Sequence, residues 1–181
     1  MLPAQQVHAA RVRAAAILAA AGIAITPGEL AQIEIADFGL GDLENIGLEL
    51  IVYVNTARVC AKELVLFPRQ TCPEHRHPPF EGTPGKEETF RVRQGVVYLH
   101  VEGEPTRNPL ARPVRADRGV YTAGRELVLR PGDQFTVPPD TKHWFQAGPD
   151  GAVVSEFSTQ SRDDLDVFTD PEIIRIPVYG D

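Results

Sequence analysis

Three histidines and a glutamate stand beside strand-like runs of this chain: His75-Arg76-His77, Glu88 and His143. Imidazole nitrogens suit borderline divalent ions, and one carboxylate shifts preference toward Mn, Fe, Co, Ni or Zn. To serve a single ion, stretches far apart in sequence must converge, which short strands closed on themselves can do. On extended chain, His75 and His77 lie two residues apart and share a face. Four protein ligands on a six-coordinate ion leave two positions for the oxygens of a substrate, whereas a closed tetrahedral site leaves none. Each residue taken singly has a plainer use. An HxH pair can sit on the surface, Glu88 in Lys86-Glu87-Glu88 can be solvated, and His143 beside Trp144 can belong to the core. The joint pattern points to metal binding.

The surrounding pattern is mainly β. Residues 4 to 21 carry Val7, Ala14, Ile17, Leu18 and Ala21 at helical spacing, with Gly22 as the residue that ends the helix. Thr26-Pro27-Gly28-Glu29 predicts a second, short helix to about Ile33, with an N-cap, a proline at N1 and a carboxylate at N3. From Leu48 the apolar runs shorten: 48–54 and 59–67 read as strands, 71–85 as a loop, and 88–93 with 96–101 as a hairpin turning near Gln94-Gly95. Residues 102–124 form a polar, arginine-rich excursion. Strands follow at 125–129, 134–137, 144–147 and 152–158, then a short helix or turn at 163–168 and an extended segment at 173–178. Many short strands separated by turn signals predict a sandwich or barrel.

Composition excludes several classes. The chain has 181 residues and fits one domain with a sizeable core. A net charge of −7 argues against a general affinity for nucleic acid or anionic membrane. No apolar run reaches the roughly 18 residues of a membrane span, and His8, Arg11 and Arg13 interrupt any signal-like N-terminus. Cys60 and Cys72 are too few for a disulfide scaffold and read as buried thiols. A cytoplasmic, metal-dependent protein is the expectation.

The spacing of these residues resembles the cupin superfamily. Its first motif reads HxH, a spacer, Glu, six residues and Gly, matched by His75, His77, Glu88 and Gly95. The spacer of ten residues after His77 is longer than usual, and Glu87 is the alternative ligand, although the count to Gly95 favours Glu88. The second motif is matched by Gly132, Pro138 and His143, with Asp140 replacing a glycine at a turn that accepts a left-handed conformation. The resemblance implies a cupin (jelly-roll) barrel at 41–181, with residues 1–40 as an N-terminal helical segment packed on it.

A narrower resemblance rests on His75-Arg76-His77-Pro78-Pro79, Gly85-Lys86-Glu87-Glu88-Thr89-Phe90-Arg91-Val92, Ser155-Glu156-Phe157-Ser158 and Asp166-Val167-Phe168-Thr169-Asp170-Pro171. From about residue 40 onward the chain looks like the bacterial D-lyxose isomerase family. This implies a manganese-dependent homodimer that interconverts D-lyxose and D-xylulose, often also D-mannose and D-fructose, through a cis-enediol. Co²⁺, Fe²⁺, Ni²⁺ or Zn²⁺ are the alternative ions. Metal ligation by His75, His77, Glu88 and His143 follows from the motif match.

Such isomerisation needs a proton carrier and a group to polarise a sugar oxygen. Glu156 is the leading carrier, because a carboxylate facing a barrel interior is costly unless paired or functional; alternation along 153–158 leaves open whether it faces inward. Lys86 shares a strand face with Glu88 if the strand already begins there, and is otherwise a solvated loop lysine. The family's KxE pair matches Lys86 and Glu88, and Glu88 can serve both as ligand and in catalysis. Phe90, Tyr98, His100 and Trp144 line a sugar pocket or are plain core. Arg91 and Arg93 are expected in solvent; Arg107, Arg112, Arg115 and Arg118 are expected in solvent or at a dimer contact. Two other classes remain: a metal-dependent dioxygenase on the same barrel, and a non-catalytic sugar-binding cupin. The expected partner is a monosaccharide, with no nucleic acid or membrane.

Overall fold

Alanine, frequent along Ala4–Ala20, costs little side-chain entropy in a helix, and these residues form helix α1. The helix stops at Ala21, and Gly22, at φ +74°, turns the chain away. Helix α2, Pro27–Gln32, opens with the expected capping box: Glu29 N–H donates to the Thr26 hydroxyl, and Thr26 N–H donates to the Glu29 carboxylate. The computed structural model describes residues 1–180.

Nine strands follow. They are β1 (Glu34–Ala36), β2 (Leu48–Asn55), β3 (Cys60–Leu66), β4 (Thr71–Arg76), β5 (Glu88–Val101), β6 (Arg125–Leu129), β7 (Gln134–Val137), β8 (His143–Ser158) and β9 (Val167–Phe168). The architecture is organised by β5 and β8, which pair antiparallel from Glu88↔Ser158 to Val101↔His143. Each long strand bends midway and serves two layers. The first layer is completed by β3 and β2 beside β8 and by β7 beside β5. The second is completed by β4 and β9 beside β8 and by β6 beside β5. The result is a curled, jelly-roll sheet of the cupin type with N-terminal helices.

Four local expectations change. Residues 88–101 are one bent strand rather than a hairpin. Gly95, at φ +76°, supplies a bend: a Cβ there would lie 2.1 Å from Gly151 O, so only glycine lets β5 cross β8 so closely. Residues 144–147 and 152–158 likewise belong to one strand, whose residues 148–151 bulge out opposite Val96. The segment 71–76, expected as loop, is strand β4; Pro73, which has no N–H to give, sits where the β4–β8 register shifts between Cys72 and His75. Glu34–Ala36 add a strand to β2, so the N-terminal segment also extends the sheet.

Alternation divides the apolar residues into two cores. Leu48, Leu50, Leu64, Phe90, Val92, Leu99 and Val154 fill the inside of the curl. Ile51, Val65 and Val153 point the other way and are covered by Val7, Ala10, Ala14 and Leu18 of α1. Cys60 and Cys72 are buried free thiols, as expected.

Glu49 sits fully buried among this second set. Its Oε1 accepts from Gln70 Nε2 at 3.0 Å, and its Oε2 has no hydrogen-bond partner among the described residues. Burial pushes its pKa up to about 8, more than the Gln70 bond lowers it. The folded chain therefore keeps a proton that the unfolded chain releases near pH 4.5. The associated stability is complete below that value and is lost as pH rises toward 8. Thermal unfolding of the wild type should show Tm falling by on the order of 5 °C across this window, and Glu49→Gln should flatten the fall. Equal slopes for the two proteins would refute the assignment.

Candidate metal centre

The register of the sheet brings the motif residues together. His75 of β4 and His143 of β8 are direct cross-strand partners, and their rings lie 4.3 Å apart. Glu88, the first residue of β5, points inward like Phe90 and Val92. His77 follows the end of β4, two residues from His75, and its ring is 5.0 Å from that of His75. One donor atom from each of His75, His77, Glu88 and His143 lies within 4.8 Å of the others, and all four residues are buried. Asp140, in the turn before His143, adopts the left-handed conformation expected of it, at φ +56°. Its carboxylate pairs with Arg76, between the two histidines.

The far nitrogen of each imidazole is already committed. His75 Nδ1 lies 2.8 Å from Pro73 O, and His143 Nδ1 lies 2.9 Å from Thr141 O. A carbonyl can only accept, so both Nδ1 atoms carry hydrogen, and Nε2 is the nitrogen each ring turns toward the cluster. His77 Nδ1 donates to Asp166 Oδ1 at 2.5 Å. His143 Nε2 is fully buried, stands 2.7 Å from Glu88 Oε1 and makes no hydrogen bond. His77 Nε2 lies 3.2 Å from the same Glu88 oxygen. Three Nε2 atoms and a carboxylate around one point fit a divalent transition ion, which would displace the proton His77 shares with Glu88, and the partners on Nδ1 are those that hold ligating histidines in place.

The electrostatics agree with this fit. Burial and the neighbouring imidazoles hold His75 well below the usual histidine range, which keeps it neutral and able to ligate. Burial works against charge on His77 too, but Glu88 and Asp166 outweigh it and raise the ring to about 9. The same negative field attracts a cation. Glu88 is driven up by burial and further down by Lys86, His77 and His143, so it stays ionised.

Lys86 joins this centre. Its side chain is 5% exposed, not solvated, and Nζ lies 2.5 Å from Glu88 Oε2 and 2.5 Å from Glu156 Oε1. Burial lowers its pKa, but the two carboxylates raise it well above the ordinary lysine value. Glu156 faces inward from β8; Ser158 Oγ donates to its Oε1 at 3.1 Å, and its Oε2 takes no hydrogen bond from the described residues. Glu87, the alternative ligand, is exposed and lies outside the cluster.

Two connected spaces serve the centre. A narrow inner chamber, with about 30 Å³ of free space, is lined by His75, His77, Lys86, Glu88 and Glu156, with Phe90, Leu50, Leu64 and Phe168 as apolar walls. A wider vestibule of about 450 Å³ opens beside it, and His77, Lys86 and Asp166 border both. The long spacer after His77 builds part of the vestibule wall through Pro78, Phe80, Glu81, Thr83 and Pro84. Gly85 closes that loop at φ +102°; a Cβ there would lie 2.3 Å from His77 O.

Other sequence candidates are placed elsewhere. Of Phe90, Tyr98, His100 and Trp144, only Phe90 lines the chamber. His100 stacks on Trp144 at 3.9 Å in a separate cluster with Tyr98 and Tyr121 that anchors the 102–124 excursion. Arg93 is exposed and Arg91 donates to Gln134, both away from the chamber. Arg115 is half-buried and ion-paired with Asp170 and Glu172, both at 2.7 Å. Sequence reasoning missed Lys62, Asp163, Asp166 and Arg175, which line the chamber. Asp166 lay inside a quoted motif; Lys62 carried a signal, a lysine at an inward position of an apolar strand.

Asp166→Asn should weaken Mn²⁺ binding about 10- to 100-fold in isothermal titration, since it alters the group that orients His77. Gly85→Ala should weaken the same binding and lower Tm, because the loop base must part to admit one methyl group. Wild-type affinity in both variants would show that the Nδ1 partner and the loop closure are irrelevant to the cluster.

Comparison with known proteins agrees with this geometry. The D-lyxose isomerase family model matches residues 30–179. The chain is 60% identical to a D-lyxose/D-mannose isomerase of Thermosediminibacter oceani over the whole of both chains. It is 59% identical to a D-lyxose ketol-isomerase of Cohnella laeviribosi, covering 93% of each. L-ribose isomerase of Cellulomonas parahominis shares the fold, with a TM-score of 0.78 at 17% identity over 95% of this chain and 94% of that one. A cupin sheet, a buried His-His-Glu-His cluster and close relatives over its full length make this chain a metal-binding sugar isomerase that belongs to the D-lyxose/D-mannose isomerase family.

Proposed function

We propose that this enzyme interconverts D-lyxose and D-xylulose, and D-mannose and D-fructose, with Mn²⁺ as its ion. The observation that carries the reading is Lys86 held between Glu88 and Glu156 against the four-residue cluster. His75, His77, Glu88 and His143 would hold the ion, which when bound supplies a Lewis acid for the two oxygens at the reacting end of the sugar. Glu156 is the proton carrier: its carboxylate removes the C2 proton of the open-chain aldose, the C–H electron pair becomes the C1–C2 double bond, and the C1=O π pair moves onto O1, which gives a cis-enediolate. The same carboxyl group returns the proton to C1, and the hydroxyl proton moves from O2 to O1, which leaves the ketose. Hydrogen bonds fix Oε1, so Oε2 is the atom offered to the carbon-bound proton. Lys86 keeps its own proton and donates a hydrogen bond to the sugar oxygen that gathers negative charge. Apolar walls at Leu50, Leu64 and Phe168 limit water around the enediol.

The working form is proposed to be a cytoplasmic homodimer. Two buried reduced cysteines suit a reducing compartment. No helix is long and apolar enough to cross a membrane. The dimer is supported by a row of exposed apolar side chains, Tyr53, Val54 and Phe157, at one end of β2 and β8.

With Mn²⁺, wild-type enzyme should form D-xylulose from D-lyxose, and Glu156→Gln should lower kcat about 10²- to 10⁴-fold while binding the ion normally. Turnover unaffected by that change would remove Glu156 from the mechanism, and no turnover of any aldose would remove the mechanism itself. Light scattering should give twice the mass of one chain, and Phe157→Glu should reduce it to one. A wild-type monomer at every concentration would exclude the dimer.

A further inference from the structure

Lys62 is a buried charge for which the reaction above has no task. It lies on β3, opposite Glu156 of β8 in the strand register, with a side chain only 4% exposed. Its inward neighbours Cys60, Leu64 and Leu66 are apolar, so the fold alone would be served by another apolar residue. An ammonium taken out of water costs several kcal/mol in effective terms and must be offset by partners. Those partners are elaborate. Lys62 Nζ donates to Ser161 Oγ at 2.9 Å and to both oxygens of Asp163 at 3.0 and 3.1 Å. Asp163 is in turn held by Arg175 at 2.8 Å, and Arg175 by Glu34 at 2.6 Å. The chain of charges runs from the edge of the sheet to the chamber and delivers one ammonium 3.9 Å from Glu156 Oε1.

That oxygen is also the one Lys86 contacts at 2.5 Å and to which Ser158 donates. Two ammonium groups, from β3 and from the start of β5, therefore bracket a single carboxylate oxygen. Their joint effect is to resist rotation of the carboxylate about its last bond and to keep Oε2 as the free atom. We infer that Lys62 is a positioning residue, which through Ser161 and Asp163 fixes the orientation in which Glu156 meets the carbon-bound proton of the sugar. The inference rests on the reading of Glu156 as proton carrier.

The test compares wild type with Lys62→Met, which keeps an unbranched side chain of similar shape and removes the charged end, and with Ser161→Ala, which loosens Lys62 and leaves its charge in place. Measured are kcat, KM, the isotope effect with D-lyxose deuterated at C2, bound Mn²⁺ and Tm. A misdirected base slows proton transfer without loosening the sugar, so Lys62→Met should lose about 10²-fold in kcat. KM should stay within about threefold of wild type, the isotope effect should rise, and bound Mn²⁺ should not change. Ser161→Ala should move kcat and the isotope effect in the same direction by less, and it decides the matter alone if Lys62→Met does not fold. Either variant losing stability while keeping the wild-type isotope effect would mark Lys62 as structural and overturn the inference. So would wild-type kinetics in Lys62→Met, or in Ser161→Ala where Lys62→Met does not fold, beside an impaired Glu156→Gln. Wild-type turnover in Glu156→Gln would overturn the underlying reading instead, and the inference with it.

Discussion

A carboxylate is not buried without company, and Glu88 is 2% exposed at the centre of this sheet. Its surroundings can be understood as answers to that single cost. Lys86 touches one oxygen, and His77 and His143 approach the other. Asp166 and Glu156 then answer two of those cations, His77 and Lys86, and Asp163 answers Lys62 beside Glu156. The result is a layered arrangement of alternating charge that closes only because β5 and β8 bend together. A straight pair would place Glu88 and His143 at opposite ends of a flat ladder. The curl brings Glu88, from one end of β5, against His143, which pairs with the other end of the same strand.

Such a centre stabilises the fold poorly by itself. Ion pairs in a protein interior recover little beyond the water they give up. The free energy of folding comes instead from the two apolar layers on either side of the sheet, one inside the curl and one under α1. The polar chamber is set where β2 and β3 carry Leu48, Leu50 and Leu64, and β8 carries Phe145, toward its walls, so the charges are held by packing they do not themselves provide. This division explains why Lys62 and Glu156 can face each other across two adjacent strands.

Much of this arrangement was legible before the fold was known. HxH, Glu88 with Gly95, and His143 after Pro138 named the cluster, because ligand chemistry restricts residue type and motif spacing restricts position. Capping chemistry placed α2, and Asp140 took the left-handed turn its small polar side chain tolerates. The misreadings share a cause. A glycine that reverses a hairpin and a glycine that bends a long strand carry the same local signal, and only the partner strand tells them apart, as at Gly95. Strand β4 was hidden by Pro73 and by its polar sequence, which serves pairing and ligation more than core packing. His100 and Trp144 face away from the chamber because a period of two fixes alternation and leaves its phase open. Lys62, Asp163 and Arg175 come from three separate segments and acquire meaning only through contact.

The two spaces of the active centre have a consequence for the order in which it fills. His77, Lys86 and Asp166 stand on the threshold between vestibule and chamber. His143 lies deeper and has no exposure to solvent. A cation that comes in by the vestibule must lose its water shell past that threshold to reach the innermost imidazole, and a sugar taking the same route follows behind it. A sugar seated there would close the ion's way out, so exchange of the metal would wait on release of the sugar.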